Sequence, residues 1–331
     1  MGFGSGICMI SVFHKDVPGK STARSLLDMT DAGGNAIRDG LASFYNDYRQ
    51  NRTEILAPDF AASARIVEAM AEAPPEPENE VVGLIVETRK HPNLEIVVQE
   101  ACEMLNVPVR LICGDSNHEF ILKSRIGRLI EEGKVRLDVL RDLRFDRHVY
   151  NGLFLTPAFW ALFEKINKVL VFQTDCVFCR NSDYTLKDFM HFDYIGSMWR
   201  AERKAQISFA GGNGGLSLRD PRAAIKCLET FPPAQWPASE DKYFAFHLEL
   251  IGAKVASHRE SSRFGSERWF LHRSFGAHNV AVMYATHLAD FLEYCPSGAR
   301  IMGQKKPNLS LRKRMRMRVN KLFLRAYLRL R

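Results

Sequence analysis

From residue 81 onward the chain alternates short apolar runs with longer stretches in which apolar residues recur every three or four positions. Val81–Val86, Pro108–Cys113, Val135–Leu140 and Lys168–Phe172 are apolar runs of strand length. Between them, Asn93–Leu105, Glu119–Glu131 and Pro157–Ile166 carry helical spacing. Apolar runs too short for a helix and bounded by polar or turn residues read as buried strands. Strands separated by helices predict an α/β fold with a mostly parallel sheet flanked by helices. Further on, Tyr194–Met198 and Gly215–Leu218 read as short strands, and Pro221–Glu229 and Glu240–Ile251 as helices.

Outside this alternation lie three segments of different character. Residues 1–72 hold helical stretches such as Ala36–Arg49 and Phe60–Glu72 and read as a helical N-terminal extension. Residues 73–80, Ala-Pro-Pro-Glu-Pro-Glu-Asn-Glu, are Pro- and acid-rich and read as an extended linker. The main domain then spans 81–300, and 301–331 is a basic tail. Within the tail Leu311, Met315, Val319, Leu322, Ala326 and Leu330 fall on one helical face, with Arg and Lys over most of the rest.

Charge separates tail from body. The chain carries a net +8, but eleven of its 46 Lys and Arg lie in 305–331 with no Asp or Glu among them, leaving the remainder at −3. A near-neutral body argues against a nucleic-acid-binding surface. A basic amphipathic helix over 308–331 suits an anionic membrane surface; docking on an acidic patch or service as a nucleic-acid arm are the other readings. No run of about 18 apolar residues is present, and Ile7–Phe13 lacks the basic start of a secretory signal. The expectation is a cytoplasmic protein peripherally attached to the membrane. Seven scattered cysteines do not form a disulfide pattern, and Cys176-Val-Phe-Cys179 stands alone without a second pair at zinc spacing.

Four places carry candidate chemistry. Lys168–Phe172 leads into Gln173-Thr174-Asp175, which puts a carboxylate at the open edge of the sheet. Such a group either holds a divalent cation bridging two phosphates or caps the following turn. Gly211-Gly-Asn-Gly-Gly-Leu-Ser-Leu-Arg219 is the most distinctive string. It lacks the spacing of a P-loop or a dinucleotide fingerprint, and reads as a backbone that approaches a ligand closely or as a glycine-rich turn. Ser239-Glu240-Asp241 opens a helix, so its acids serve the helix start or supply Asp241 as a general base. His278, in Phe275-Gly-Ala-His-Asn279, is a satisfied structural histidine or a metal or phosphate contact.

Taken in order, Val86-Glu-Thr-Arg89 with His91-Pro-Asn-Leu94, Phe172–Asp175, Phe192–Trp199, Gly212–Arg219, Glu240-Asp241 and Phe275–His278 resemble a family of uncharacterised-domain proteins related to nucleotide-sugar glycosyltransferases of the GT-A type. The resemblance covers roughly residues 80–280. It implies a GT-A-like, Rossmann-like fold, with Glu87, Thr88, Arg89, Thr174 and Asp175 near the donor nucleotide. It further implies Asp175 and His278 as contacts of Mn²⁺ or Mg²⁺, and Asp241 as the catalytic base. Trp199, Gly212, Asn213, Gly214, Gly215 and Glu240 would shape the pocket for donor sugar and acceptor. One departure stands out: Gln173 replaces the first Asp of the D-x-D motif. A neutral amide is a weaker ligand for a hard cation, so a metal-independent enzyme stays open, with Arg89 offsetting the diphosphate charge.

The expected function is transfer of a sugar from a nucleotide-diphosphate-sugar to a hydroxyl of a glycan or lipid-linked acceptor, in cell-surface polysaccharide synthesis. The alternative is a non-catalytic, membrane-associated nucleotide- or carbohydrate-binding protein on the same fold. Nucleic acid is not an expected partner.

Overall fold

A computed structural model describes residues 45, 46, 49, 50, 55–72, 78–142, 144–199 and 210–302. The predicted helix Ala36–Arg49 falls mostly outside these residues, as does the basic tail beyond Met302. In chain order the elements are α1 (Phe60–Ala71), β1 (Asn79–Val86), α2 (Leu94–Gln99), β2 (Val109–Gly114), α3 (Asp115–Leu122), α4 (Arg125–Glu131) and β3 (Val135–Leu140). Then follow α5 (Arg147–Phe154), α6 (Pro157–Ala161), β4 (Ile166–Phe172), β5 (Cys176–Phe178), β6 (Tyr194–Ser197), β7 (Asn213–Arg219) and α7 (Pro221–Thr230). The last are α8 (Glu240–Leu250), α9 (His258–Phe264), β8 (Gly265–Ser266), β9 (Gly276–His278), α10 (Ala285–Tyr294) and α11 (Gly298–Met302).

The protein is a mixed α/β fold built on a six-stranded, mostly parallel sheet of order β3-β2-β1-β4-β7-β6. Strands β1 to β4 are parallel to one another, whereas β7 runs antiparallel to both β4 and β6. Alternate strand residues enter two apolar clusters, one per face. Leu84, Ile112, Val169 and Val171 join α1, α5, α6 and α8 on one side. Ile85, Leu111, Leu170 and Phe172 join α2, α4 and α10 on the other. Burial on both faces explains why these strands read as near-continuous apolar runs.

Several predicted boundaries shift. Asn79 and Glu80, expected in the linker, already belong to β1. The helix expected over Glu119–Glu131 is two helices, because Ser124 caps a new start by accepting from the Ile126 N–H. The helix expected through Leu105 closes in a π-turn at Glu100–Met104. Helix α5 carries no run that announces it, and residues 166–167 of the expected helix Pro157–Ile166 and its loop belong to β4. The strand expected at Gly215–Leu218 starts two residues earlier, so Gly214 and Gly215 lie inside β7 while Gly211 and Gly212 precede it. A second sheet of three short strands, β5-β9-β8, was not anticipated. Among the described residues no helix is long and apolar enough to cross a membrane, and the six described cysteines are buried and free.

Candidate functional site

Parallel strands deliver their carboxyl ends to one edge of the sheet, where ligands of open α/β folds gather. At the end of β1, Glu87 is buried and takes Arg89 bidentately, with Nε on Oε1 at 2.8 Å and a terminal nitrogen on Oε2 at 2.7 Å. Burial alone would raise the Glu87 carboxyl, but the Arg89 bonds hold it below the usual carboxylate range. The turn is pinned from the start of α3: Asn117 Nδ2 donates to the carbonyls of Glu87 (2.7 Å) and Arg89 (3.0 Å), and Ser116 Oγ donates to that of Thr88 (2.5 Å). Arg89 itself is 74% exposed and feels the charge of Asp175, so its guanidinium flanks the next strand end.

At that strand end, Gln173-Thr174-Asp175 links β4 to β5. Thr174 Oγ1 donates to Glu87 Oε2 at 3.5 Å, and Gln173 Nε2 donates to Tyr150 Oη at 3.3 Å. The antiparallel course of β7 now matters. Phe172 pairs with Leu216, so β7 begins where β4 ends, and Gly214 and Gly215 arrive beside Gln173. His278 reaches the same place through β9, since Cys176 pairs with His278 and Asn279 N donates to the Asp175 carbonyl at 3.0 Å. Its ring lies on Gly215: a Cβ there would stand 2.2 Å from Nε2. His278 Nε2 is 3.4 Å from Asp175 Oδ1 and 3.3 Å from Gln173 Oε1. Burial lowers the His278 pKa, against the opposing charges of Asp175 and Asp241, and keeps the imidazole neutral.

Helix α8 supplies the other wall. Arg219, at the far end of β7 and 1% exposed, binds Glu240 through two contacts of 2.5 and 3.1 Å. Its guanidinium also sits 5.1–5.8 Å from the ring centres of Phe154, Trp160, Tyr194 and Phe244. Both Glu240 oxygens are thus taken, and the side chain braces the site from behind. Asp241, 8% exposed, accepts from Gly214 N at 3.1 Å, from Lys242 N at 2.8 Å and from the Ser239 hydroxyl. The glycines serve this packing. A Cβ on Gly214 would lie 2.6 Å from Arg219 and 2.7 Å from Glu240, and one on Gly212 2.3 Å from the Gly196 carbonyl. The backbone of 212–215 therefore approaches protein side chains and a neighbouring strand, with a bulge in β6 between Gly196 and Ser197 taking up the register. Trp199, just past β6, is half-buried and packs against the core.

One acid of this region went unnoticed in the sequence. Glu267 directly follows β8, whose parallel register with β9 pairs Ser266 with Ala277, the residue before His278. Its carboxyl is raised from the ordinary 4.5 to about 7 by burial, with Asp241 and Asp175 adding to the rise and Arg268 opposing it. No motif flagged it, because β8 is two residues long and the neighbours that define it lie elsewhere in the chain. The folded form holds its proton up to about pH 7 while an unfolded glutamate releases it near 4.5. Stability present below the lower value is therefore lost as the pH rises through the higher one. Glu267→Gln is neutral throughout, so its stability relative to the parent should rise by on the order of 2–3 kcal/mol between about pH 5 and about pH 8. Urea unfolding at both pH values checks this; a difference that does not change with pH refutes it.

A divalent cation fits the donors present at the edge. Asp175 Oδ1 is buried without a hydrogen-bond partner, and the adjacent imidazole is neutral. Such a short protein set suits a cation that keeps substrate phosphates and water as its other ligands. Among the described residues no group of three or more His, Cys, Asp and Glu forms a complete protein cage. A groove of about 680 Å³ lies at the opposite end of β1, lined among others by Asn79, Glu80, Met104, Arg180 and Lys187, and shares none of these residues.

Residues 134–278 match a family model described as "Protein of unknown function (DUF5672)". The matched stretch runs from β3 to His278, and so includes Asp175, β7, Glu240, Asp241 and Glu267 but leaves out Glu87–Arg89. No curated protein matches the chain. Among solved structures, a "Putative Glucose-1-Phosphate Thymidylyltransferase from Bacillus anthracis" is similar at 13% identity and a TM-score of 0.33, over 54% of this chain and 86% of that one. "PaToxG Glycosyltransferase" is similar at 14% identity and a TM-score of 0.27, over 81% of this chain and 94% of that one. At such scores the fold rests on the sheet topology alone.

Proposed function

We propose that this chain is a glycosyltransferase with a GT-A-like fold, moving a sugar from a nucleotide-diphosphate-sugar to a hydroxyl of a glycan or lipid-linked acceptor. The observation that carries the reading is the unpartnered Asp175 Oδ1 beside the neutral His278 imidazole, set on Gly215 at the carboxyl edge of the sheet. Asp175 and His278 would hold Mn²⁺ or Mg²⁺, with the Gln173 amide oxygen next to them. Bound there, the cation neutralises charge on a diphosphate leaving group. Arg89, mostly exposed and clamped by Glu87, adds a fixed positive charge on the same edge. Asp241 faces the space from the start of α8, backed by the Arg219–Glu240 pair, and is the proposed base for the acceptor hydroxyl.

A second reading has an observation behind it. Both oxygens of Asp241 already accept hydrogen bonds, from Gly214 N and from Ser239 and Lys242 N, which favours a protein that binds the nucleotide-sugar without turning it over. The tail 308–331, outside the described residues, is proposed to hold the protein on an anionic membrane surface at the cytoplasmic side.

The test is a thermal-shift screen of nucleotides and nucleotide-sugars with and without Mn²⁺, followed by turnover of the donor that binds. Asp175→Ala should cost about a hundredfold or more in turnover and remove the Mn²⁺-dependent shift. Tight donor binding with no turnover would select the binding protein. A donor shift that is unchanged in Asp175→Ala would sink the metal assignment.

A further inference from the structure

The Gln173 side chain has two unlike ends. A carboxylate offers oxygens only, whereas a carboxamide carries one oxygen and an NH₂ group that needs an acceptor. The fold meets the two ends differently. Oε1 lies 3.3 Å from Nε2 of His278, which is itself 3.4 Å from Asp175 Oδ1. Nε2 of Gln173 donates instead to Tyr150 Oη at 3.3 Å.

Tyr150 is well placed for this task. It comes from α5, whose start is set by Asp146, accepting from His148 N at 2.9 Å and Val149 N at 3.2 Å. Its ring lies 4.8 Å from that of Phe154 and stands edge-on to Phe145 at 6.3 Å. Phe154 is packed in turn 5.1 Å from the buried Arg219 guanidinium. A ring held between two others fixes where its hydroxyl lies.

On the other side of the amide, Asp175 Oδ1 is buried with no hydrogen-bond partner. The ligands of a small divalent cation stand about 2.1 Å from it, and so about 3 Å from one another in an octahedral set. The separations of 3.3 and 3.4 Å along Gln173, His278 and Asp175 come close to that spacing.

We infer that Tyr150 is a positioning residue: its hydroxyl takes the Gln173 NH₂ and so turns the amide oxygen onto a divalent cation at Asp175 and His278, as a third protein ligand. The inference rests on the cation of the transfer reading given above and deepens it. Without the hydroxyl the NH₂ loses its acceptor and gains most by turning to the Asp175 carboxylate, where it competes with the cation.

The test is Mn²⁺ titration of the full-length protein, alone and with UDP, with free Mn²⁺ read by electron paramagnetic resonance. Tyr150→Phe should lose roughly tenfold in Mn²⁺ affinity, the cost typical of removing a group that orients a metal ligand. Gln173→Leu, which keeps Tyr150, should lose at least as much. Gln173→Glu should bind Mn²⁺ more tightly than the parent, because a charged oxygen replaces a neutral one. In that background Tyr150→Phe should change the affinity by less than about twofold, since no NH₂ remains to be oriented. Thermal unfolding without Mn²⁺ shows that each variant is folded. Unchanged affinity in Tyr150→Phe overturns the inference. So does an equal loss in both backgrounds, which would mark a role in packing, or a Gln173→Glu variant no tighter than the parent. If the parent itself takes up no Mn²⁺, with or without UDP, the cation of the transfer reading fails and this inference falls with it. The other outcomes leave that cation in place.

Discussion

Arg219→Met is expected to lower the free energy of unfolding by about 3–5 kcal/mol, the usual cost of breaking a buried ion pair from one side. The guanidinium does several jobs at once. It neutralises Glu240, which is 4% exposed, and donates to the Gly214 carbonyl at 3.3 Å and to Ser217 Oγ at 2.9 Å. It also fills the space between Phe154, Trp160, Tyr194 and Phe244, where a cation gains from the ring faces. Methionine replaces the bulk but leaves Glu240 as an uncompensated buried carboxyl. Arg219→Met with Glu240→Leu should therefore recover most of the loss, because exchanging a whole buried pair for apolar groups is often neutral. Denaturant midpoints for the two single variants and the double variant provide the cycle. A single-variant loss below about 1 kcal/mol would mean that the pair contributes little beyond its packing. The consequence for function is separate: Gly214 N is a ligand of Asp241, so losing the brace should loosen the acid even where the fold survives.

The second large effect is expected from one added methyl group. Gly215→Ala puts a Cβ 2.2 Å from Nε2 of His278, 2.6 Å from Cδ2 and 2.7 Å from Cε1. These are ring atoms held by β9, so the imidazole must shift from its place 3.4 Å from Asp175. Displacing a positioned group by about 1 Å can cost on the order of a hundredfold in rate. Overpacking adds about 1–3 kcal/mol of destabilisation. Turnover and Mn²⁺-dependent thermal shift should both fall by far more than in a control such as Gly133→Ala, where no atom lies within 4 Å of the added Cβ. Gly133 has a φ of +70°, so that control carries its own modest backbone strain and is compared on activity rather than stability. Full activity in Gly215→Ala would exclude His278 from the reaction.

Much of this scaffold is legible in the chain, and the exceptions have physical causes. The four parallel strands were readable because burial on both faces demands unbroken apolar runs. The end residues Glu87–Arg89 and Gln173–Asp175 followed, since an edge of a parallel sheet is fixed by where its strands stop. The Gly211–Arg219 string stood out in the chain, but not the close packing it serves in the fold. Its glycines admit the His278 ring, Glu240 and a neighbouring strand, with Gly214 and Gly215 inside β7 itself. Glu240 looked like a pocket residue and is bound on both oxygens by Arg219. Glu267 gave no signal at all, because neither its burial nor its acidic neighbours are local properties of the chain.

Local periodicity, turn residues and charge thus determined by themselves the α/β alternation, the ends of the parallel strands and the contrast between a near-neutral body and a basic tail. These are set by neighbours within a few residues, which the chain displays directly. The tertiary structure alone decided that β7 runs against β4, bringing Gly214 and Gly215 to the carboxyl edge. It also decided that β5, β9 and β8 pair, bringing His278 to Asp175 from about a hundred residues away. Strand direction and ion-pair partners depend on which distant surfaces bury one another, and no window of sequence contains both surfaces.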